Sequence, residues 1–213
     1  MTRSTTVTQI LDAAGQVFAA KGFKDATVRE ICAKAGVNLA AVNYHFGDKE
    51  RLYIEAAKDA RQTLENNVPL PQDFDSADPE TALRMFIRTL AHRMLDRNVE
   101  SWRHELLVRE FTNPSRACEE IMQESILPFM DRLHEIIRRA MPDDVPDHTI
   151  RQLAFSMISQ CAYYRLQDRV VAMLTPEEQL ERHFTPECLA DHVTRFSIAA
   201  IRSYNSVDSF CET

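Results

Sequence analysis

Apolar residues recur every three or four positions along the chain, and no stretch alternates apolar and polar with period two. Val7, Ile10, Leu11, Ala14, Val17 and Phe18 predict a first helix over residues 5–21, ended by Gly22, with Phe23 folding back to the core. Val28, Ile31, Cys32 and Ala35 form the apolar stripe of a short second helix. Thr27 is its natural N-cap, and Glu30 three places on completes a capping box. Gly36 marks a sharp turn. Asn38 then caps a third helix over 39–46, which stops at Gly47. Asp48 caps a fourth, carried to residue 67 by Leu52, Tyr53, Ala56, Ala57, Ala60 and Leu64.

Glycine and proline divide the chain into two parts. All four glycines lie within the first 47 residues, and all nine prolines at position 69 or beyond. The stretch VPLPQDFDSADPE (68–80) reads as a connector, so the expected domains are 1–67 and 68–213. A fifth helix starts at Pro79 and carries Leu83, Phe86, Ile87, Leu90 and Met94. A sixth over 99–112 contains Trp102 and Phe111. A seventh, 114–141, is expected to kink at Pro128, because proline removes a helical hydrogen bond. An eighth over 147–171 and a ninth over 186–204 complete an all-α chain of about nine helices.

Composition narrows the class. The 213 residues are 45% hydrophobic and 27% charged, ordinary for a globular protein. No apolar run approaches the roughly 18 residues of a membrane helix, and the first residues lack the apolar core of a signal peptide. A cytoplasmic location without membrane association is the expectation. Cysteines 32, 118, 161, 188 and 211 are odd in number and never form a CxxC pair; four are expected to be buried or half-buried, with Cys211 in a mobile tail. The nearest approach to a metal cluster, His183, Cys188 and His192, matches no zinc spacing, so no metal or cofactor is expected.

A net charge of −7 at first opposes a nucleic-acid partner, but it is unevenly spread. Residues 1–50 hold six basic and five acidic side chains, and the remaining 163 hold 19 basic and 27 acidic. Local field decides attraction to phosphate, so the N-terminal part can bind while the rest stays acidic. Two short helices joined by a glycine turn form a helix-turn-helix, whose second helix can enter a major groove. An αα-corner in any helical protein has similar caps.

Three stretches make the pattern specific: ILDAAGQVFAAKGF, TVREICAKAGVNLAAVNYHFG and DKERLY. Together, over about residues 5–60, they resemble the TetR family of bacterial transcriptional regulators. NLAAVNYHF and LAFSMISQCAYYRLQ further resemble its CecR-type subgroup. The resemblance implies a homodimer that places the third helix in a major groove and a C-terminal domain that binds a small-molecule effector, with no cofactor. Carried over residue by residue, Thr27 and Arg29 would meet phosphates at the start of the second helix. Asn38, Leu39, Ala40, Ala41 and Asn43 would face base edges of double-stranded DNA. Tyr44, His45 and Lys49 would grip the backbone. Where an aromatic is frequent in the family, Asn43 stands here, and Asn can pair bidentately with adenine. With so few polar readers, DNA shape is expected to add specificity. Each assignment has a plainer counterpart. Phe46 is a packing residue, His45 a solvated cap, and Arg29 an exposed partner of Asp25.

For the effector, Phe86, Met94, Trp102, Leu106, Phe111, Met122, Ile126, Phe129, Met130 and Tyr163 are candidate apolar walls between the fifth and eighth helices. His104, Arg109 and Arg165 are the polar groups to watch. Such residues at helical spacing also make ordinary core. The eighth and ninth helices, with Tyr163, Tyr164 and Ile198, are expected to form the dimer surface. The leading reading is a ligand-responsive repressor of a palindromic operator. An enzyme is the competing class, but neither His104-Glu105 nor His134-Glu135 continues to HExxH, and no GxSxG or phosphate-binding glycine loop occurs. A helical protein-binding adaptor is the third.

Overall fold

The computed structural model describes residues 5–96 and 101–204, and every regular element among them is helical. The expected start of the sixth helix at residue 99, and Cys211, lie outside the described residues. The chain forms two packing units. The first holds residues 1–67 and 97–126, the second 68–96 and 127–213. Among the described residues no helix is long and apolar enough to cross a membrane.

In the first unit α1 (Thr5–Asp25) packs on α2 (Val28–Ala35), α4 (Lys49–Asn67) and α6 (Ser101–Thr112). The chain leaves helical geometry at Gly22 (φ 77°, ψ 172°), where the sequence ends the first helix. Ile10, Leu11 and Phe18 from α1, Ile31 from α2 and Leu52 and Ile54 from α4 are fully buried in one core. Into the same core α3 (Leu39–Phe46) sends Val42 and Phe46. Phe23 lies beside it rather than in it: its ring, 38% exposed, packs edge-on against Tyr53 at 5.2 Å.

Beside the core burial of Leu106 and Leu107, specific contacts bind α6 to this bundle. The Trp102 indole lies on Gly15, where a Cβ would stand 2.0 Å from Cζ3, so only a residue without a side chain fits. Deeper, the Tyr53 hydroxyl donates to Glu110 Oε1, and the Ser115 hydroxyl donates to the other carboxylate oxygen at 2.6 Å. Ser115 also accepts from the Ala117 amide and so caps α7 (Arg116–Ile121). Glu110 is only 2% exposed, and a carboxylate so placed requires these donors. Burial pushes the Tyr53 hydroxyl well above its ordinary value, and the bond to Glu110 acts in the same direction.

The second unit packs α5 (Pro79–Leu95), α8 (Leu127–Ala140), α9 (Asp147–Leu166) and α12 (Pro186–Tyr204) around Phe86, Ile87, Leu133, Ile137, Ala154 and Val193. The connector 68–80 is held to it. Phe74, in a short 3-10 turn (Phe74–Ser76), is buried beside Phe86, and Phe86 stacks on Phe129 at 4.2 Å. Arg93 donates to the Val68 carbonyl at 2.8 Å, and Arg139 to that of Ala77 at 2.7 Å.

Two expected elements are subdivided. The seventh helix is α7 and α8 separated by a π-helical stretch, Met122–Ile126. Pro128 lies two residues past its end, and the widened turn accommodates the amide that proline cannot supply. The eighth stops at Leu166, and two short helices succeed it, α10 (Asp168–Leu174) and α11 (Glu177–His183), neither of which buries a side chain. Hence the described residues hold more helices than the nine given by periodicity, which does not register a break between two exposed turns.

Gly15→Ala should cost about 1–3 kcal/mol in chemical denaturation by driving the indole off α1. In a Trp102→Ala background the same change should instead stabilise by up to about 1 kcal/mol, since alanine is the better helix former. Tyr53→Phe should cost about 1–3 kcal/mol at neutral pH by leaving Glu110 Oε1 without its donor. The Tyr53 phenol ionises near pH 10 in the unfolded chain but stays neutral there when folded. Its contribution is therefore present below pH 10 and lost as pH rises past it, so melting curves of the Phe variant should fall less steeply above pH 10.

Candidate nucleic-acid interface

The turn between α2 and α3 is set by its caps. Thr27 is extended (φ −116°, ψ 145°); its hydroxyl accepts from the Glu30 amide at 3.3 Å while the Glu30 carboxylate accepts from the Thr27 amide at 3.2 Å. Gly36 sits in the left-handed region (φ 67°, ψ 31°) and closes α2 through its amide to the Cys32 carbonyl, a conformation that costs a residue with a Cβ about 1 kcal/mol or more. Asn38 Oδ1 then accepts from the Ala41 amide at 2.9 Å and starts α3. Asp48 caps α4 in the same way, accepting from the Arg51 amide at 2.8 Å.

These caps orient α3 so that Val42 and Phe46 face inward and nearly everything else faces out. Asn38, Leu39, Ala40, Asn43, Tyr44 and His45 are exposed and Ala41 is half-buried. Tyr44 is 84% exposed and Leu39 48%, large apolar surfaces with no partner in the first unit's core. The Tyr44 and His45 rings meet edge-on at 5.0 Å, side by side at the C-terminal end of the helix. Residues 38–45, Val42 apart, thus lie on or beside one outward surface.

The charges around this surface are differently disposed. Lys21 pairs with Glu30, and this pairing first, with the Thr27 amide and hydroxyl second, holds the Glu30 carboxyl below its ordinary value. The Thr27 hydroxyl also donates to Glu30 at 3.1 Å, so a phosphate at the start of α2 would meet backbone amides and Arg29 rather than this hydroxyl. Arg29 is exposed, and the alternative pairing with Asp25 is not formed among the described residues. The Lys49 ammonium lies 4.7 Å from the centre of the Phe23 ring and donates to the Lys24 carbonyl at 3.2 Å. That leaves it two further donors at the start of α4. Lys24 and Lys34, which sequence reasoning did not single out, are exposed.

The expected effector residues divide between the units. Trp102, His104 and Leu106 are buried in the first, where Met122 is half-buried and Phe111 is 44% exposed. Phe86 and Phe129 are buried in the second, with Met94 half-buried and Tyr163 half-exposed. Of the polar groups to watch, Arg109 donates to the Ala19 carbonyl at 3.1 Å across the break at Gly22. His183, Cys188 and His192 line one cleft in the second unit, and among the described residues no group of three potential ligands has metal-binding geometry.

Comparison with known proteins agrees with this geometry. The profile of the bacterial regulatory proteins of the tetR family matches residues 10–56, and that of the C-terminal domain of the HTH-type transcriptional dual regulator CecR matches residues 79–201. The chain is 30% identical over 136 residues to the HTH-type transcriptional regulator SrpR of Pseudomonas putida, a match covering 62% of this chain and 60% of SrpR. It is 26% identical over 178 residues to CecR of Shigella flexneri, covering 78% of each. Among solved structures, HlyIIR, a hemolysin II transcriptional regulator, superposes with a TM-score of 0.61 at 21% identity over 94% of this chain and 98% of that one. A transcriptional regulator from Rhodococcus sp. Rha1 gives 0.64 at 21% identity over 96% and 100%. At such identities the structures speak for the fold alone, and it is the two profiles that assign the chain. With a helix-turn-helix that turns one helix outward and a C-terminal region matching a regulator's domain, this protein belongs to the TetR family of bacterial transcriptional regulators, with a C-terminal domain of the CecR type, and is not an enzyme.

Proposed function

We propose that the protein is a ligand-responsive repressor that binds a palindromic operator as a homodimer in the cytoplasm. The observation that carries this reading is α3, which buries Val42 and Phe46 and leaves the side chains of 38–41 and 43–45 to the outside. In this reading Asn43 reads adenine and Leu39, Ala40 and Ala41 offer apolar contact to a thymine methyl. Asn38 stands at the start of the same surface. Thr27, through its amide end of α2, and Arg29, Tyr44, His45 and Lys49 hold the phosphates. Residues 1–67 carry the DNA contacts, and 68–213 the effector and dimer functions.

The dimer is assigned to α9 and α12, where Phe155, Tyr163 and Phe196 are 60%, 50% and 57% exposed. Aromatic side chains of that size favour the centre of an interface between copies. Two-fold symmetry would place the two α3 helices in half-sites one helical turn or a multiple apart. An effector that prefers a different spacing releases the DNA, and linkage requires operator DNA to weaken effector binding by the same factor. Phe86 and Phe129, buried, and Met94, half-buried, are the effector candidates packed within the second unit. Trp102, His104, Leu106, Phe111, Met122 and Tyr163 remain candidates on their helical spacing.

Binding to a palindrome selected by the purified protein should weaken steeply as salt rises, and Lys49→Ala, which removes one phosphate contact from each subunit of the dimer, should lower the log–log slope by about 2. Asn43→Ala should cost about 1–3 kcal/mol at one symmetric pair of A·T positions and little at sequences lacking them. A salt-insensitive interaction would overturn the reading. Phe196→Asp should turn the dimer into a monomer in light scattering and remove operator binding with it; a dimer that survives this change would move the interface elsewhere.

A further inference from the structure

The α5 and α12 helices of the second unit face one another through a ladder of charges. Glu80 on α5 accepts from Arg202 on α12 at 2.6 Å. Arg84 stands 3.6 Å from Asp191, and His92 Nε2 stands 3.5 Å from Glu187. Each of these α12 groups has its counterpart on α5. Arg195 does not: it is exposed and has no ion-pair partner among the described residues. It lies one turn from Asp191 and two from Arg202, where the ladder supplies no carboxylate.

Arg195 also lines two clefts. One, of about 340 Å³, lies over the ladder beside Arg84, Ile198 and Arg202. The other, of about 390 Å³, brings Arg195 together with His192 from α12, His183 and Phe184 from the end of α11, and Tyr164 from α9. The Tyr164 and Phe184 rings meet edge-on, 6.1 Å between centres, and form an apolar wall. The carboxylate on this cleft, Asp191, is already faced by Arg84, and the Cys188 thiol donates to the Arg182 carbonyl at 3.5 Å. The vacant donors are those of Arg195, with the two imidazoles beside it. A cleft of this size holds a small organic molecule, and a planar guanidinium matches a carboxylate in two-point fashion.

We infer that this second cleft is a binding site for a small aromatic carboxylate, with the carboxylate on Arg195 and the ring against Phe184 and Tyr164. The ring edges of Tyr164 and Phe184 and the guanidinium lie on one cleft, so a single ligand of one or two fused rings reaches both. The stripe 191, 195, 198 and 202 is turned toward α5, while His192 lies one turn from Phe196 and Tyr164 adjoins Tyr163, so the site borders the proposed dimer surface. It is independent of the DNA reading, because nothing in it involves residues 1–67.

The probe is 2-naphthoate, titrated calorimetrically into the full-length protein. Saturable one-site binding is expected. Arg195→Gln should weaken it about tenfold or more, the loss expected for a charge-assisted pair of hydrogen bonds. Arg151→Gln, which removes the same charge from the exposed face of α9, should leave it within about twofold. The neutral analogue 2-naphthalenemethanol should bind about tenfold more weakly than the acid to the natural protein and be indifferent to Arg195→Gln. Phe184→Ala should weaken both compounds alike. Each variant is checked for an unchanged melting temperature. No saturable binding, equal loss in the Arg195 and Arg151 variants, or equal affinity for acid and alcohol would each overturn the assignment.

Discussion

Most of the side chains proposed to meet DNA sit on a helix of eight residues that cannot exist alone. Isolated helices shorter than about 12–15 residues are marginal in water, so α3 owes its shape to what it packs against. Its hold is narrow: Val42 and Phe46 are its buried residues, capped by Asn38 at one end and closed by Gly47 at the other. Everything that fixes the direction of the exposed residues passes through those two side chains into the core of α1, α2 and α4. That is why the first unit is built with so little slack. Phe18 meets Tyr53 edge-on at 4.8 Å, and Tyr53 in turn is committed to Glu110.

The same core reaches well beyond the helix-turn-helix. Trp102 on Gly15, Arg109 on the Ala19 carbonyl and the Tyr53–Glu110–Ser115 bonds make α6 and the start of α7 part of the unit that carries α3. Along the outer side, Lys58 reaches Glu124 at 2.6 Å in the π-helical stretch, and Arg51 and Arg116 approach Glu120 at 3.4 and 3.8 Å. The exposed pairs contribute little individually, about 0–1 kcal/mol. The buried carboxylate is another matter, since removing one of its donors leaves a buried oxygen without its partner. Displacement of α6 is therefore resisted within the first unit by specific bonds in addition to the apolar burial of Trp102, Leu106 and Leu107.

Charge is arranged by unit as well as by sequence. Of the basic residues near α3, Lys21 is neutralised by Glu30, while Arg29, Lys24 and Lys34 stay exposed and Lys49 keeps spare donors. In the second unit, where acid predominates, the ladder between α5 and α12 consumes most of the local charge and leaves Arg195 over. An unmatched guanidinium beside two aromatic rings is a different feature from a solvated surface arginine, because the cleft fixes the direction from which an anion approaches.

Much of this was legible in the residue order. The caps at Thr27, Asn38 and Asp48, the stop at Gly36 and the stripe of Val28, Ile31 and Cys32 are local, governed by interactions three or four residues apart, and they form where the residue order places them. The outward set on α3 was legible for the same reason, since two buried positions on a two-turn helix fix the rest. What could not be read is whatever joins distant positions. The requirement for glycine at 15 is set by an indole 87 residues later, the ionisation of Tyr53 by its burial and by a carboxylate 57 residues on, and the association of α6 with α1 and α4 by these contacts. The apolar residues at 86, 102, 106, 111 and 129 share one periodic signature in the sequence, yet packing assigns them to two different units. Helical spacing records that a side chain faces inward; only tertiary structure decides which core receives it, because that depends on partners whose separation along the chain carries no periodic trace.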